Sequence, residues 1–262
     1  MILAGGAGTR LRPLSSDENP KQFLKLFEGR SLLQLTFERL RRILPAGAIF
    51  VSTNEQYATK SLEHLPELPP ENVIAEPARR NTAPAIALCT FEIEQHLGPC
   101  TVSFLASDHY IGDVDEFVRV LSRAYAFVET NDYLMTIGIA PDEANTGFGY
   151  LELGETLEDE VMRVQAFIEK PDLARAEEFL RAGNYAWNAG MFAWRSEVFR
   201  RELSSVAPDI AGVTRENYEA MPSISIDYAL MEKAPRVATI RGDFEWSDVG
   251  TFEALRKVGV DV

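Results

Sequence analysis

The chemistry legible in this chain starts at one glycine turn and the cations behind it. Gly5-Gly6-Ala7-Gly8-Thr9-Arg10 follows directly on the apolar start Ile2–Ala4, with Arg12 and Lys21 close after it. A glycine-rich turn exposes backbone N–H groups in a concavity that suits phosphate oxygens, and nearby cations add formal charge. Two common phosphate loops are excluded by spacing. Leu11 stands where the third glycine of G-x-G-x-x-G would fall counting from Gly6, and no Gly-Lys-Ser/Thr follows. Read alone, a plain turn flanked by surface cations accounts for the same residues. Asp108 and Asp248 are the carboxylates of interest. A hard divalent cation takes one or two carboxylates and completes its shell with water and phosphate oxygens. As alternatives, Asp108 can be a turn residue and Asp248 a helix N-cap.

The elements that must position these residues alternate strand and helix through the first half. Short, nearly continuous apolar runs at Ile2–Ala4, Ala48–Ser52, Val73–Ala75, Thr101–Ala106 and Leu134–Ile139 suit buried parallel strands. Helical patterns fill the gaps at Leu32–Ile43 after a Ser31 cap, Glu55–Leu65, Thr82–Leu97 and Asp113–Val128. Right-handed strand–helix–strand crossovers then give a Rossmann-like α/β fold, a mostly parallel mixed sheet flanked by helices. Asp108 falls just past the C-terminal end of Thr101–Ala106, the edge at which open α/β sheets bind ligands. The second half predicts strands at Gly149–Leu153 and Val161–Glu169, and helices at Leu173–Arg181, Glu197–Ser204 and Thr251–Val258. No linker or repeat divides the chain, so a single domain over 1–262 is expected, with halves at about 1–140 and about 141–262.

Composition narrows the partners. The 262 residues carry a formal charge of −14, which disfavours nucleic acid as the main partner. The charge is unevenly placed: Met1–Leu44 holds eight basic and four acidic residues, so the phosphate-suited turn lies in the one positive segment. No apolar stretch approaches the roughly 20 residues of a membrane span, and no secretory leader is visible. Two cysteines, Cys89 and Cys100, suit a reducing, cytoplasmic setting.

Leu3-Ala-Gly-Gly-Ala-Gly-Thr-Arg-Leu-Arg-Pro-Leu14 followed by Pro20-Lys-Gln-Phe23 resembles the signature of the sugar-1-phosphate nucleotidyltransferases. Glu76-Pro-Ala-Arg-Arg-Asn-Thr-Ala-Pro-Ala-Ile86 is similar to the base-recognition segment of the family's mannose-1-phosphate guanylyltransferase branch. Ala106–His109, Thr146–Tyr150, Phe167–Pro171, Trp187–Met191, Ser225–Glu232 and Trp246–Gly250 resemble further family motifs in family order. Arg12 departs from the tryptophan usual in that branch. Relatives carrying a C-terminal β-helix or isomerase domain differ from this chain, where neither is expected, and the two-to-three-residue first strand points to a minimal or trimmed fold.

The resemblance implies transfer of GMP from GTP to mannose 1-phosphate, giving GDP-mannose and pyrophosphate. Two anions must meet, so catalysis is positioning and charge neutralisation. By the same resemblance Arg10 and Lys21 are catalytic, Asp108 and Asp248 hold Mg2+, and Leu3, Ala4, Gly5, Gly6, Gly8, Thr9, Glu76, Asn81 and Thr82 bind the nucleotide. Glu76 would accept the adjacent N1–H and amine donors of guanine and meet only acceptors on uracil or thymine. Gly149, Glu169, Lys170, Asn188 and Asp227 are expected on the sugar phosphate. GTP and mannose 1-phosphate are thus the partners, with no nucleic acid or membrane, and a homodimer is left open. The alternatives are the same chemistry with another sugar or base, a non-catalytic sugar-nucleotide-binding subunit, and a metal-dependent glycosyltransferase. Lys21 and both aspartates argue against the second, the signature loop against the third.

Overall fold

The computed structural model describes residues 1–6 and 8–262; Ala7 of the glycine turn lies outside them. In chain order the strands are β1 (Ile2–Leu3), β2 (Val51–Asn54), β3 (Val73–Glu76), β4 (Thr101–Ala106), β5 (Tyr110–Ile111), β6 (Leu134–Ile139), β7 (Tyr150–Glu158), β8 (Val161–Ile168), β9 (Tyr185–Arg195), β10 (Val237–Arg241) and β11 (Trp246–Ser247). The α-helices are α1 (Leu32–Arg41), α2 (Glu55–His64), α3 (Thr82–Leu97), α4 (Val114–Thr130), α5 (Leu173–Ala182), α6 (Ser196–Val206), α7 (Pro208–Ala211) and α8 (Phe252–Lys257). They form a mixed sheet flanked by helices. The chain divides into two compact units, each assembled from separate segments.

The first unit comprises Met1–Arg79, Leu105–Val118 and Phe244–Val262. Its sheet is parallel throughout, in the order β3-β2-β1 and then the last two residues of β4. The brevity of β1 is made up by its neighbours: Ala4 N–H reaches the Ser52 carbonyl at 2.7 Å, and Ser107 N–H reaches the Leu3 carbonyl at 3.0 Å. Helix α1 starts in a capping box, Ser31 and Gln34 each accepting from the other's backbone N–H. A small core of Leu11, Leu24, Leu32, Val249 and Leu255 ties the segment after the glycine turn to α8. β5 and β11 pair antiparallel beside it.

The second unit comprises Arg80–Phe104 and Arg119–Asp243. Its strands run β4-β9-β6-β10-β8-β7, with β7 pairing in addition with the start of β9. Apart from β6–β10 the pairings are antiparallel. The eleven-residue β9 and β10 are strands of this unit that the sequence reading does not assign. The ring of Trp194 on β9 stacks on Phe199 of α6 at 4.8 Å, anchoring this core. A register shift between Thr136 and Gly138 of β6 sets Asn188 opposite Gly138, a bulge that re-aims side chains. Among the described residues no helix is long and apolar enough to cross a membrane.

Candidate active site

In the first unit the glycine turn leaves β1 at the C-terminal end of the parallel strands. Its backbone is held from beneath. Gln22 Nε2 donates to the Ala4 carbonyl at 2.8 Å, Thr53 Oγ1 to the same carbonyl at 3.1 Å, and Asn54 Nδ2 to that of Gly5 at 2.9 Å. Gly8 has φ +62°, and a Cβ there would stand 2.6 Å from Lys21 Cβ. Glycine is therefore required twice, by dihedral and by space. Gly6 is exposed, with nothing within 4 Å of where its Cβ would be. Leu3 is half-buried, Ala4 buried and Thr9 exposed, opening the short 3-10 turn Thr9–Leu11.

Lys21 is nearly inaccessible at 5% exposure, in a 3-10 turn entered through Pro20. Its ammonium lies 2.9 Å from Asp108 Oδ2 and donates as well to the main-chain carbonyl of Asp248. Both aspartates thus converge on one lysine. Burial would raise the Asp108 carboxyl, but the Lys21 ammonium, helped by His109 and backbone N–H donation, holds it below the usual range. Burial pushes His109 down to about 4, reinforced by Lys21 and Arg39 against the pull of Asp108 and Asp248. The neutral ring fits its contact, Nδ1 accepting from Trp246 Nε1–H at 3.2 Å. Arg10 is well exposed, its Nη2 3.6 Å from Asp248 Oδ2. A Cβ at Gly250 would stand 2.5 Å from that oxygen and 3.0 Å from the Arg10 guanidinium.

The donor set is all oxygen: two carboxylates partly open to solvent beside a lysine and an arginine. That fits a hard cation whose other ligands are phosphate and water. No cluster of three or more His, Cys, Asp or Glu side chains exists among the described residues to hold a metal by protein alone. Glu76, at the end of β3, is buried with Oε1 accepting from Ser52 Oγ at 2.7 Å.

Asn81 and Thr82, expected with the nucleotide residues, belong to the second unit. Asn81 takes φ +66° and caps α3, its side chain accepting from Thr82 N–H. Thr82 Oγ1 accepts from Ile226 N–H at 2.9 Å, fixing the segment that enters Asp227.

The five sugar-phosphate candidates lie together in the second unit. A Cβ at Gly149 would stand 2.5 Å from Glu169 Oε2 and 3.5 Å from Asn188 Cβ, so glycine lets these side chains close over the strand. Asn188 has its amide polarity fixed. Its Oδ1 accepts from Thr136 Oγ1 at 2.7 Å and Gly190 N–H at 3.1 Å, while Nδ2 donates to Asp227 Oδ1 at 3.0 Å. Asp227 opens a π turn closed by the bond from Glu232 N–H to its own carbonyl at 3.0 Å, a rare geometry enriched at functional sites. Burial, then the charge of Glu169, pushes the Asp227 carboxyl up to about 6. Lys170 pairs with Glu169; burial would lower its ammonium, but Glu169 and Asp227 raise it, so it stays charged. The Glu169 N–H donates to Glu232 Oε1 at 2.9 Å.

The residues sequence reasoning missed are the supports: Gln22, Ser52, Asn54, Thr136, Glu232 and Arg39. The last is buried and donates to the His109 carbonyl at 3.0 Å. Ser52, Asn54, Thr136 and Arg39 are ordinary strand or helix residues with no motif to mark them, whereas Gln22 and Glu232 lie inside the strings Pro20–Phe23 and Ser225–Glu232 with no role attached to them there.

A parallel sheet edge with a phosphate-suited turn and a buried lysine held by the Asp108 carboxylate and the Asp248 carbonyl places the molecule among α/β proteins that handle nucleotide phosphates. The chain belongs to the nucleotidyl transferase family, whose model matches residues 1–262. It is 38% identical to a mannose-1-phosphate guanylyltransferase of Sinorhizobium fredii (strain NBRC 101917 / NGR234), over 98% of this chain and 54% of that protein. A mannose-1-phosphate guanylyltransferase of Salmonella muenchen is 37% identical over 97% of this chain and 58% of that protein. The chain thus spans little more than half the length of these curated relatives. Among solved structures, one described as mannose-1-phosphate geranyltransferase from Thermus thermophilus superposes with a TM-score of 0.90 at 34% identity, covering 99% of this chain and 78% of that one.

Proposed function

We propose that the chain transfers GMP from GTP to mannose 1-phosphate, giving GDP-mannose and pyrophosphate. The observation that carries this reading is the convergence of Asp108 and Asp248 on Lys21, beside the glycine turn and Arg10. The guanylyltransferase relatives supply the base and sugar.

The first unit takes the nucleotide. Backbone N–H groups of the glycine turn and the exposed Arg10 hold the triphosphate, and Lys21 neutralises charge that develops at the α-phosphorus. Glu76 accepts from N1–H and the exocyclic amine of guanine, with Leu3, Ala4, Gly5 and Gly6 against the base. In the second unit Asn188, Glu169 and Asp227 receive the hydroxyls of the sugar, while Lys170 neutralises its phosphate. Gly149 leaves room for a close approach of the ring. Asn81 and Thr82 complete the nucleotide side by resemblance, and they brace the Asp227 turn by their bonds.

The nucleophile needs no general base, because a sugar phosphate oxygen is already ionised at neutral pH. It forms a bond to the α-phosphorus of GTP as the bond from that phosphorus to the bridging oxygen breaks, and pyrophosphate leaves. Asp108 and Asp248 would hold Mg2+, which when bound supplies charge neutralisation on the phosphates.

The test is pyrophosphate release by the chain with Mg2+, mannose 1-phosphate and each of four nucleoside triphosphates in turn. Release with GTP alone is the expected result. Silence with all four would favour a non-catalytic sugar-nucleotide-binding protein.

A further inference from the structure

Glu76 is gripped from two sides. Its Oε1 accepts from the hydroxyl of Ser52, which is wholly buried on β2, at 2.7 Å. An ionised carboxylate only accepts, so the serine is the donor. The same oxygen lies against Gly5, where a Cβ would come within 3.1 Å of it. Gly5 cannot move aside freely, since its carbonyl is held by Asn54 Nδ2 at 2.9 Å. Ser52 is fixed in turn by the sheet, opposite Leu3 on β1 and Ile74 on β3. Glu76 Oε1 is therefore held in place by a residue anchored in the parallel ladder.

We propose that Ser52 is a positioning residue that sets base selectivity, fixing the plane in which Glu76 meets the paired donors of guanine. The proposal rests on the assignment of Glu76 to guanine. A carboxylate oxygen has lone pairs for more than one donor, so Oε1 can serve Ser52 and one guanine donor together. Two donors side by side demand a carboxylate in the plane of the base. One that pivots still accepts a single donor but no longer separates guanine from a base with one donor alone.

The test compares GTP with inosine triphosphate, which keeps N1–H and lacks the exocyclic amine, and with ATP, which lacks N1–H. In Ser52→Ala, KM for GTP is expected to rise about tenfold, the scale of one hydrogen bond to a charged group. Turnover at saturation should stay within about twofold, the pattern of lost uniform binding. The preference for GTP over inosine triphosphate should shrink by a similar factor, and Ser52→Thr, which keeps the donor, should restore it. In a Glu76→Gln background, Ser52→Ala should change that preference no further, because the two act as one unit. If Ser52→Ala fails to fold, judged by its thermal melt, Ser52→Cys keeps the volume with a weak donor and should shrink the same preference. A wild-type chain that does not prefer GTP over ATP overturns the assignment of Glu76 and the proposal with it. A GTP-preferring wild type whose folded Ser52 variants keep the full preference overturns the role of Ser52 alone, as does a fully additive double variant.

Discussion

The Lys21 ammonium sits 2.9 Å from Asp108 Oδ2 while also donating to the carbonyl of Asp248, so one buried cation fixes two acidic residues from distant segments. The buried positive charge is thus set against a carboxylate rather than left bare. On the proposed function, a bound polyphosphate would exchange one anionic partner for another.

Lys21→Ala is therefore expected to hit the reaction harder than binding. On the proposed function, the glycine turn and Arg10 remain to hold the triphosphate, whereas the charge developing at the α-phosphorus loses its counter-ion. By analogy with deleting one preorganised donor, kcat should fall on the order of 100- to 1,000-fold, with nucleotide affinity by calorimetry changing far less. A second signature is local. With Lys21 gone, the main influence that holds Asp108 down is lost, and its carboxyl should titrate higher than in the wild type. Full turnover by a well-folded variant would end this assignment.

The two glycines Gly6 and Gly8 should separate stability from binding. Gly8→Ala meets a φ of +62° and a Cβ 2.6 Å from Lys21 Cβ. Its cost should exceed the roughly 1 kcal/mol of a left-handed residue, lowering the melting temperature by several degrees. Gly6→Ala has open space around its Cβ and should melt with the wild type, yet bind GTP more weakly if this backbone faces the nucleotide. Equal melting of the two variants would contradict the packing.

How much of this is legible in the sequence follows from where each signal lies. The parallel strands of the first unit are short apolar runs with helices between them, and α3 and β4 begin and end where their patterns do. The eleven-residue β9 escapes, because Tyr-Ala-Trp-Asn-Ala-Gly-Met-Phe-Ala-Trp-Arg is buried on both faces and shows no alternation, with Gly190 at φ +65° inside it. The interleaving of the units, built from non-consecutive segments, leaves no mark in composition. Lys21, Asp108 and Glu76 in the first unit and Asp227 in the second sit in recognisable strings, whereas Ser52 and Thr136 matter only through what they touch. A hydrogen bond across 52 residues, as between Thr136 and Asn188, has no local signature.

Asp227 predicts a pH dependence of stability with a definite sign. Its carboxyl is raised from 3.8 to about 6 in the fold by burial and by Glu169. A folded value above the unfolded one stabilises the protein below pH 3.8 and loses that contribution as pH rises through about 6. The difference is on the order of 3 kcal/mol. Asp227→Asn can still accept from Asn188 through its amide oxygen and carries no charge to bury. In urea melts the variant should gain on the wild type as pH rises from 4 to 7, levelling off above it. A gap that is constant with pH would show that Asp227 is not the titrating group.

Asp248→Asn should isolate the carboxylate from the anchor. Lys21 is bonded to the main-chain oxygen of Asp248, which the substitution leaves in place. The side chain's own Oδ1 accepts from Gly250 N–H at 3.0 Å, a bond the asparagine oxygen can keep. Melting should thus change little, within about 0.5 kcal/mol as for a substitution that breaks no buried contact. What disappears is one negative charge beside Arg10 and, on the proposed function, a hard ligand for a divalent cation. The concentration of Mg2+ giving half-maximal rate should rise at least about tenfold, since a charged oxygen is exchanged for a neutral one. Asp108→Asn differs in kind: it removes the partner of a buried ammonium, so its thermal stability should fall together with its rate. An Asp248→Asn chain whose Mg2+ requirement matches wild type would remove this residue from the metal site and leave Asp108 as the one carboxylate there.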